Sequence, residues 1–164
     1  MASSYFQITD PHQAYFYSKY VLKANVTSPR QGMLVYKGST GELELASNTN
    51  FPLGFLFDKQ NLVPSTTSNY PLTDSNDLTN MLGLVCGVCR KGTTICDGSY
   101  FTNGTTTGDA LVDGDMVAVD TNGLIVKATG NVGLGRFLGA VADQYAGKRY
   151  IVRWDFMAPA GDIA

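Results

Sequence analysis

The stretch at residues 108–143 constrains the fold more than any other part of the chain, because it carries the clearest hairpin signal. Two short apolar and mostly β-branched runs, at 116–119 and 124–126, flank the turn sequence Asp120-Thr121-Asn122-Gly123. Asn and Gly accept the positive φ that a tight hairpin turn requires. A glycine-rich loop follows, and residues 138–142 form a third apolar run. We therefore predict a strand, a tight turn, a second strand, a loop and a third strand.

The same order of elements occurs earlier in the chain, at residues 31–58. At one constant spacing the two stretches share apolar, turn and small residues, in the pairs Val35 and Val117, Gly41 and Gly123, and Ala46 and Ala128. A longer loop in the second copy brings the third strands into line, with Leu53-Gly54 on Leu138-Gly139 and Asp58 on Asp143. Two copies of one unit predict a pseudo-symmetric sheet or barrel in which each copy covers the open edge of the other.

The composition favours short strands and turns over helices. The 164 residues include 18 glycines and many Thr, Ser and Asn, whereas runs of Ala, Glu, Lys and Leu are scarce. A chain of this length suits one domain. We predict an all-β fold, a small β-barrel or sandwich built from two similar strand–hairpin–strand units. Only 16% of the residues are charged, against about 25% in typical domains, which favours a surface that a partner covers.

The rest of the chain supplies further strands and two loops. Residues 82–89 and 93–96 have the pattern of buried strands on either side of a turn at 90–92, and residues 148–156 alternate as a final strand. The segment 60–82 is polar and contains prolines, so we expect a long surface loop that ends in one helical turn capped by Ser75. Residues 99–108 are predicted to form a second loop.

Residues 1–23 differ from the rest of the chain in their density of aromatic side chains. Aromatics with few charges are typical of the centres of protein interfaces, which favours an extended N-terminal arm that docks on another chain. The alternative is a first strand in the domain's own sheet, because the run at 15–22 has no clean period. We divide the chain into an arm at 1–23, a β-barrel domain at 24–157 and a flexible tail at 158–164.

Charge and hydropathy exclude several kinds of partner. The net charge of −2 argues against a nucleic-acid partner, which requires a basic patch. No run approaches the roughly 18 apolar residues that span a bilayer, and the first residues lack the pattern of a signal peptide. We therefore expect no membrane association, and synthesis in the cytoplasm. Three cysteines in such a chain favour reduced thiols over disulfides.

No cluster of residues predicts catalysis, a metal site or a cofactor site. The spacing of Cys86, Cys89 and Cys96 matches no common zinc module, and His12 is the only histidine. The glycines between 130 and 139 imitate a dinucleotide fingerprint, but a strand follows them instead of a helix. The aspartates at 109–115 and 74–77 lack the closing Glu of a calcium loop and suit turns. We predict that the protein is not an enzyme.

The second half of the chain contains a series of short motifs: Gly-x-Val-Cys-Gly-Val at 83–88, Asp-Gly-Asp-Met-Val at 113–117, Asn-Gly-Leu at 122–124, Leu-Gly-Ala-Val at 138–141 and Tyr-Ile-Val-Arg at 150–153. In the order of these motifs, residues 83–154 resemble the small β-barrel decoration (cement) proteins on the outside of tailed-bacteriophage capsids, including the lambda-type head-decoration family. The resemblance implies a β-tulip-like barrel and a homotrimer on the outer surface of the virion. Such a trimer links neighbouring major capsid proteins against the pressure of the packaged DNA. The aromatic start and the loop at 60–82 depart from the family's pattern.

The resemblance also implies that the N-terminal arm makes the capsid contact, by adding a strand to a capsid sheet. Three arms on one trimer would combine weak contacts into firm attachment. The predicted capsid-contact residues are the aromatic residues of the arm: Tyr5, Phe6, Tyr15, Phe16, Tyr17 and Tyr20.

Two other functions stay open. A phage fibre, tail or carbohydrate-binding module for host attachment would stack exposed tyrosines on sugar rings, with the loops at 60–82 and 99–108 as its site. A small hydrolase or metal enzyme is the third possibility, and stoichiometric zinc would then give the cysteines a role.

Overall fold

The computed structural model describes residues 5–9, 15–57, 76–129, 133–143 and 147–156. It is nearly all-β, and its antiparallel sheet curls into a half-barrel, so the predicted fold class is confirmed. The predicted tail at 158–164, His12 and most of the loop at 60–82 lie outside the described residues. No described helix is long and apolar enough to cross a membrane. The elements are β1 (Phe6–Ile8), β2 (Tyr15–Val21), β3 (Leu34–Lys37), β4 (Leu43–Leu45), β5 (Gly54–Leu56), β6 (Val85–Cys96), α1 (Thr105–Ala110), β7 (Met116–Val119), β8 (Ile125–Lys127), β9 (Gly135–Asp143) and β10 (Gly147–Asp155).

The order of strands in the sheet reads the same from both ends. It runs β4, β3, β5, β6, β10, β9, β7, β8, so β4-β3-β5 and β8-β7-β9 have the same connections on either side of the central pair. The outer strands are bridged by residues that precede their own units, since Leu22 pairs with Leu43 and Phe101 with Ile125. The outer strand of each unit is therefore covered by the residues that precede that unit. The prediction, in which each copy covers the edge of the other, is not what the structure shows.

The hydrogen bonds of the two units repeat as well. Val35 pairs with Leu45 in the first hairpin, and Val117 pairs with Lys127 in the second, at the same spacing. The turn that leads into each hairpin is also tied to the third strand by the same two backbone bonds. These four bonds are each 2.8 Å long and join Gly32 N to Leu56 O, Leu56 N to Met33 O, Gly114 N to Phe137 O and Phe137 N to Asp115 O.

The third strands align differently from the prediction. Gly54 pairs with Val35, whereas the residue that pairs with Val117 is Gly135 and not Gly139. The chain has Leu-Gly at 134–135 as well as at 138–139, and the earlier dipeptide is the true counterpart, so the second loop is shorter and not longer. A Cβ on Gly54 would lie 2.3 Å from a carbonyl oxygen of the facing strand, and a Cβ on Gly135 would lie 2.6 Å from one. Only glycine fits this close approach.

Two further elements differ from the prediction. The turn expected at 90–92 is the middle of β6, which continues from Val85 to Cys96. It stays extended because β2 pairs with residues 85–91 and β10 with residues 91–96, so both halves of β6 bond to neighbouring strands. Part of the loop expected at 99–108 is α1, whose Gly108 packs so closely on the ring of Tyr150 that a Cβ there would lie 2.6 Å from the ring.

The buried side chains also repeat, with one systematic change in size. Six buried positions in or next to the first unit have buried counterparts in or next to the second, and three of the counterparts carry aromatic rings where the first set has Leu or Cys. In the first unit Leu78 completes the cluster, and we infer that the three larger rings fill the corresponding volume in the second. The pairs are Leu22 and Phe101, Val35 and Val117, Leu43 and Ile125, Leu56 and Phe137, Cys86 and Tyr150, and Val88 and Val152.

The aromatic N-terminal segment belongs to the sheet. β1 pairs with β6 at Phe6–Ile8, and β2 pairs with β6 over Val85–Lys91. Leu22, which directly follows β2, is fully buried. The described residues of this segment thus form two strands of the domain's own sheet, which agrees with the alternative to a free arm. No break in the sheet corresponds to the predicted boundary at residue 23.

Candidate binding surfaces

Two of the six predicted contact residues, Tyr5 and Phe6, are held by the body of the protein. Phe6 is only 4% exposed, and its ring centroid lies 5.4 Å from that of Phe55 and 5.5 Å from that of Tyr100. Tyr5 is half-buried, with the guanidinium of Arg149 4.1 Å from its ring centroid. Phe6 is therefore a core residue here, and it can contact another protein only if β1 leaves the sheet.

The other four predicted contact residues lie in β2. The backbones of Tyr15, Phe16 and Tyr17 pair with β6, and their side chains lie outside the described part of the molecule. Tyr20 is half-buried and packs on the cluster around Leu22, and the Lys37 ammonium lies 5.5 Å from its ring centroid. The structure thus groups these four residues on β2, beside residues 85–91 of β6. Tyr5 and Phe6 lie near the opposite end of β6, where Phe6 pairs with Cys96.

An exposed apolar surface adjoins the end of β2. Leu84 is 54% exposed and Val85 is 51% exposed, and Val85 pairs directly with Val21, the last residue of β2. We call Tyr20, Leu84 and Val85 the β2–β6 surface. Leu84 and Val85 are adjacent in the chain, and exposed large apolar side chains are typical of protein contact sites where they cluster. The pattern at 82–89 was interpreted as a buried strand, so the exposure of its first residues was not foreseen.

A groove of about 590 Å³ lies between the loop that follows β4 and the hairpin of β7 and β8. Its volume is within the range of small-molecule sites, roughly 300–1,000 Å³. The side chain of Phe51 is 48% exposed at this groove. Hydroxyl and amide groups line much of the rest, and they come from Ser47, Asn48, Thr102, Thr121, Asn122 and Thr129.

Asp120 shapes one wall of this groove. Its carboxylate accepts hydrogen bonds from the backbone of Asn122 (2.7 Å) and Leu124 (2.9 Å), which close the hairpin turn. The other carboxylate oxygen accepts a bond of 2.5 Å from the Thr102 hydroxyl. Asp120 is thereby committed to the structure, so the groups left for a ligand are amides, hydroxyls, the Phe51 ring and the exposed side chain of Lys127, whose ammonium also pairs with Asp115. Among the described residues, Thr102 is the one groove residue that the predicted carbohydrate site contains, since it lies in the loop at 99–108.

The three cysteines are free thiols, and all three are buried. Burial raises the pKa of the Cys96 thiol well above its usual range, so it is protonated at neutral pH. Within the described ranges, no group of three or more His, Cys, Asp or Glu is placed to hold a metal ion. The expectation of reduced thiols agrees with this arrangement.

In or beside each unit, a carboxylate accepts hydrogen bonds from a lysine and a tyrosine. In the first unit Glu44 accepts from Lys23 (2.7 Å) and Tyr36 (3.1 Å). These two bonds lower the pKa of Glu44, with the Lys23 bond contributing most.

In the second unit Asp109 accepts from Lys148 and from Tyr150, each at 2.8 Å. The Lys148 bond is the larger cause of a lowered pKa at Asp109, and burial together with the Asp109 bond raises the pKa of Tyr150 to about 12. Both arrangements tie a strand to a neighbouring segment, and neither lies at the groove.

Sequence reasoning missed the groove because its walls come from loops far apart in the chain. A weak signal was present, since Phe51 is a single large aromatic residue within the polar loop sequence Ser-Asn-Thr-Asn-Phe-Pro at 47–52. Comparison with protein-family models, with curated protein sequences and with solved structures gives no match to this chain.

Proposed function

We propose that this protein binds the outer surface of a bacteriophage capsid as a homotrimer and stabilises the capsid by cross-linking neighbouring major capsid proteins. The β2–β6 surface is the observation that carries the proposal. It joins an exposed apolar contact area to the strand that holds four of the aromatic residues expected to touch the capsid. The motif resemblance of residues 83–154 to decoration proteins supports the same function.

The way in which β2 is held suits a protein that must resist tension. β2 pairs with β6, and β6 pairs in turn with β1, β5 and β10. A load on the β2–β6 surface therefore reaches the central strand of the sheet directly. Three such surfaces on one trimer would act together, so that each single contact can be weak while the attachment is firm.

Co-sedimentation with capsids tests this proposal. Purified protein is mixed with expanded heads that lack it, and we expect saturable binding and a higher temperature of head rupture. Val85→Lys places a charge in the β2–β6 surface and should reduce binding at least tenfold, because a desolvated unpaired charge is costly at an interface. Phe51→Ala, which changes an exposed residue of the groove, is the matched control and should bind as the unaltered protein does.

Removing residues 1–23 is not a suitable test. The deletion would take away β1 and β2 and the buried side chains of Phe6, Ile8 and Leu22, so loss of binding would follow from unfolding alone. Absence of binding by the intact protein, or full binding by the folded Val85→Lys variant, contradicts the proposal. Sedimentation equilibrium gives the oligomeric state, for which we expect three times the 17.6 kDa chain mass.

Carbohydrate binding for host attachment is the second candidate, and the groove is the observation that favours it. Amide and hydroxyl groups can bond to sugar hydroxyls while the apolar face of a sugar ring covers the Phe51 ring. Binding of a glycan array that Phe51→Ala abolishes and Val85→Lys leaves intact would support this function. Val85→Lys should therefore weaken only capsid binding, and Phe51→Ala should weaken only glycan binding, so the two variants distinguish the two candidate functions.

A further inference from the structure

In the first unit, the segment that leads into β3 is covered by an extended piece of the same chain. The residues at 29–31 pair antiparallel with those at 76–78, through Gln31 N to Asn76 O (2.7 Å) and Leu78 N to Pro29 O (2.9 Å). Leu78 is fully buried. Three extended residues thus satisfy one backbone donor and one acceptor at this edge.

In the second unit the equivalent segment, residues 111–113, makes the same turn. Asp115 N bonds to Val112 O at 3.0 Å, as Met33 N bonds to Arg30 O at 3.1 Å, and Gly114 has a positive φ of 94° where Gly32 has 84°. Here, however, no group in the described part of the chain donates to the Leu111 carbonyl or accepts from the Asp113 amide. These are the counterparts of the two groups that Asn76 and Leu78 satisfy in the first unit.

The side chains around this edge are exposed and apolar only in the second unit. Val112 is 63% exposed and Leu138 is 39% exposed, and the bond from Phe137 N to Asp115 O places Leu138 beside the turn. The first-unit counterpart of Leu138 is Phe57, which is 7% exposed. An open backbone edge flanked by apolar side chains is the arrangement to which extended peptides add as strands.

The core beneath the open edge is already filled. Phe101, Phe137 and Tyr150 are each at most 2% exposed and occupy positions where the first unit has smaller side chains. No side chain equivalent to Leu78 is needed to complete the packing. A segment that binds here can therefore come and go without unfolding the domain.

We propose that the edge at residues 111–113 binds an extended peptide segment of a partner protein in the antiparallel manner of residues 76–78. The segment must offer a carbonyl to Asp113 N and, two residues later, an N–H to Leu111 O. An apolar residue within it would cover Val112 and Leu138. The inference depends on the comparison of the two units alone, and holds whether or not the partner is a capsid protein.

The chain itself provides a probe, because residues 75–80 carry the segment that fills the equivalent place. The peptide Ser-Asn-Asp-Leu-Thr-Asn is titrated into ¹⁵N-labelled protein to several millimolar. We expect saturable shifts of the backbone amides of Val112, Asp113, Gly114 and Leu138, with a dissociation constant of order 1 mM, because two hydrogen bonds and little apolar area are involved.

Two variants of one residue separate the backbone donor from the side chain. Asp113→Pro removes the N–H at a position where proline fits, since Gly114 follows with positive φ as in a type II turn. It should weaken binding roughly 3- to 10-fold, whereas Asp113→Ala keeps the N–H and should stay within about twofold. Absence of a saturable shift, shifts centred on Gln31 instead, or equal binding by the Pro and Ala variants would overturn the proposal.

Discussion

The two strand–hairpin–strand units have the same backbone and different surroundings. In the first unit the segment that leads into β3, residues 29–31, is paired with residues 76–78. The cluster of Leu, Val and Cys in this unit is completed by Leu78. In the second unit the equivalent segment, residues 111–113, pairs with no described segment, and aromatic rings fill the cluster instead. The difference shows that one backbone design can be stabilised either by adding a strand segment or by enlarging the core. Only the second solution leaves an edge available to a partner.

The largest expected effect concerns these core rings. Phe137→Ala should lower the free energy of unfolding by about 3–5 kcal/mol, and Leu56→Ala at the equivalent place by about 2–5 kcal/mol. Both side chains are at most 2% exposed. Urea denaturation measures both values, and Leu138→Ala, at the exposed neighbour of Phe137, serves as the control with a change within about 0.5 kcal/mol. A loss below about 1 kcal/mol for Phe137→Ala would mean that the ring does not fill the second core.

The hairpins and the duplication could be predicted from the sequence because they depend on local chemistry. Gly41 and Gly123 have the positive φ of 85° and 78° that their turns were expected to require. The alignment of the third strand failed because the sequence offers two Leu-Gly dipeptides. The choice between them depends on contact with a distant carbonyl, that of Arg153, which no local pattern reveals.

The binding surfaces were harder to predict because they depend on which partners the strands find. The aromatic pattern of residues 5–20 is the same for a free arm and for a strand in the sheet. What separates them is the long β6, and the sequence at 90–92 resembles a turn unless both its partners are known. The groove is formed by loops, and the edge at 111–113 is open because no described segment pairs with it. The alternation of apolar and polar residues along the chain predicts neither feature.

A smaller effect compares the two entry turns directly. Gln31→Pro removes the bond from Gln31 N to Asn76 O inside the fold, and should cost about 1–3 kcal/mol because a buried backbone carbonyl loses this donor. Asp113→Pro removes an N–H that has no partner among the described residues, and should change stability by about 0.5 kcal/mol or less, with a gain expected from the stiffer unfolded chain.

Thermal denaturation of the two proline variants measures this contrast. Gln31→Ala, which keeps the N–H, reports how much of the first loss comes from the fully buried Gln31 side chain. Equal destabilisation by both proline variants would show that the second edge is paired within the chain after all, and the inferred docking site would then be occupied by the protein's own residues.

The smallest effect distinguishes the two lysine–carboxylate–tyrosine groups by pH. The bonds from Lys148 and Tyr150 hold the pKa of Asp109 below its ordinary value of 3.8, and the bonds from Lys23 and Tyr36 hold the pKa of Glu44 below 4.5. A carboxylate whose pKa is lowered by folding stabilises the fold above its unfolded pKa, and this stabilisation is lost as the pH falls through the folded pKa. Asp109 is exposed and Glu44 is half-buried, so salt should weaken the effect at both, and more at Asp109. We expect the thermal stability of Asp109→Asn to fall less steeply than that of the unaltered protein below about pH 4. The curve of Glu44→Gln should diverge from that of the unaltered protein at a slightly higher pH, because an unfolded Glu has the higher ordinary pKa and is protonated earlier on acidification than an unfolded Asp. Parallel melting curves for Asp109→Asn and the unaltered protein from pH 6 to pH 2 would show that the Lys148 and Tyr150 bonds add nothing to the stability of the second unit.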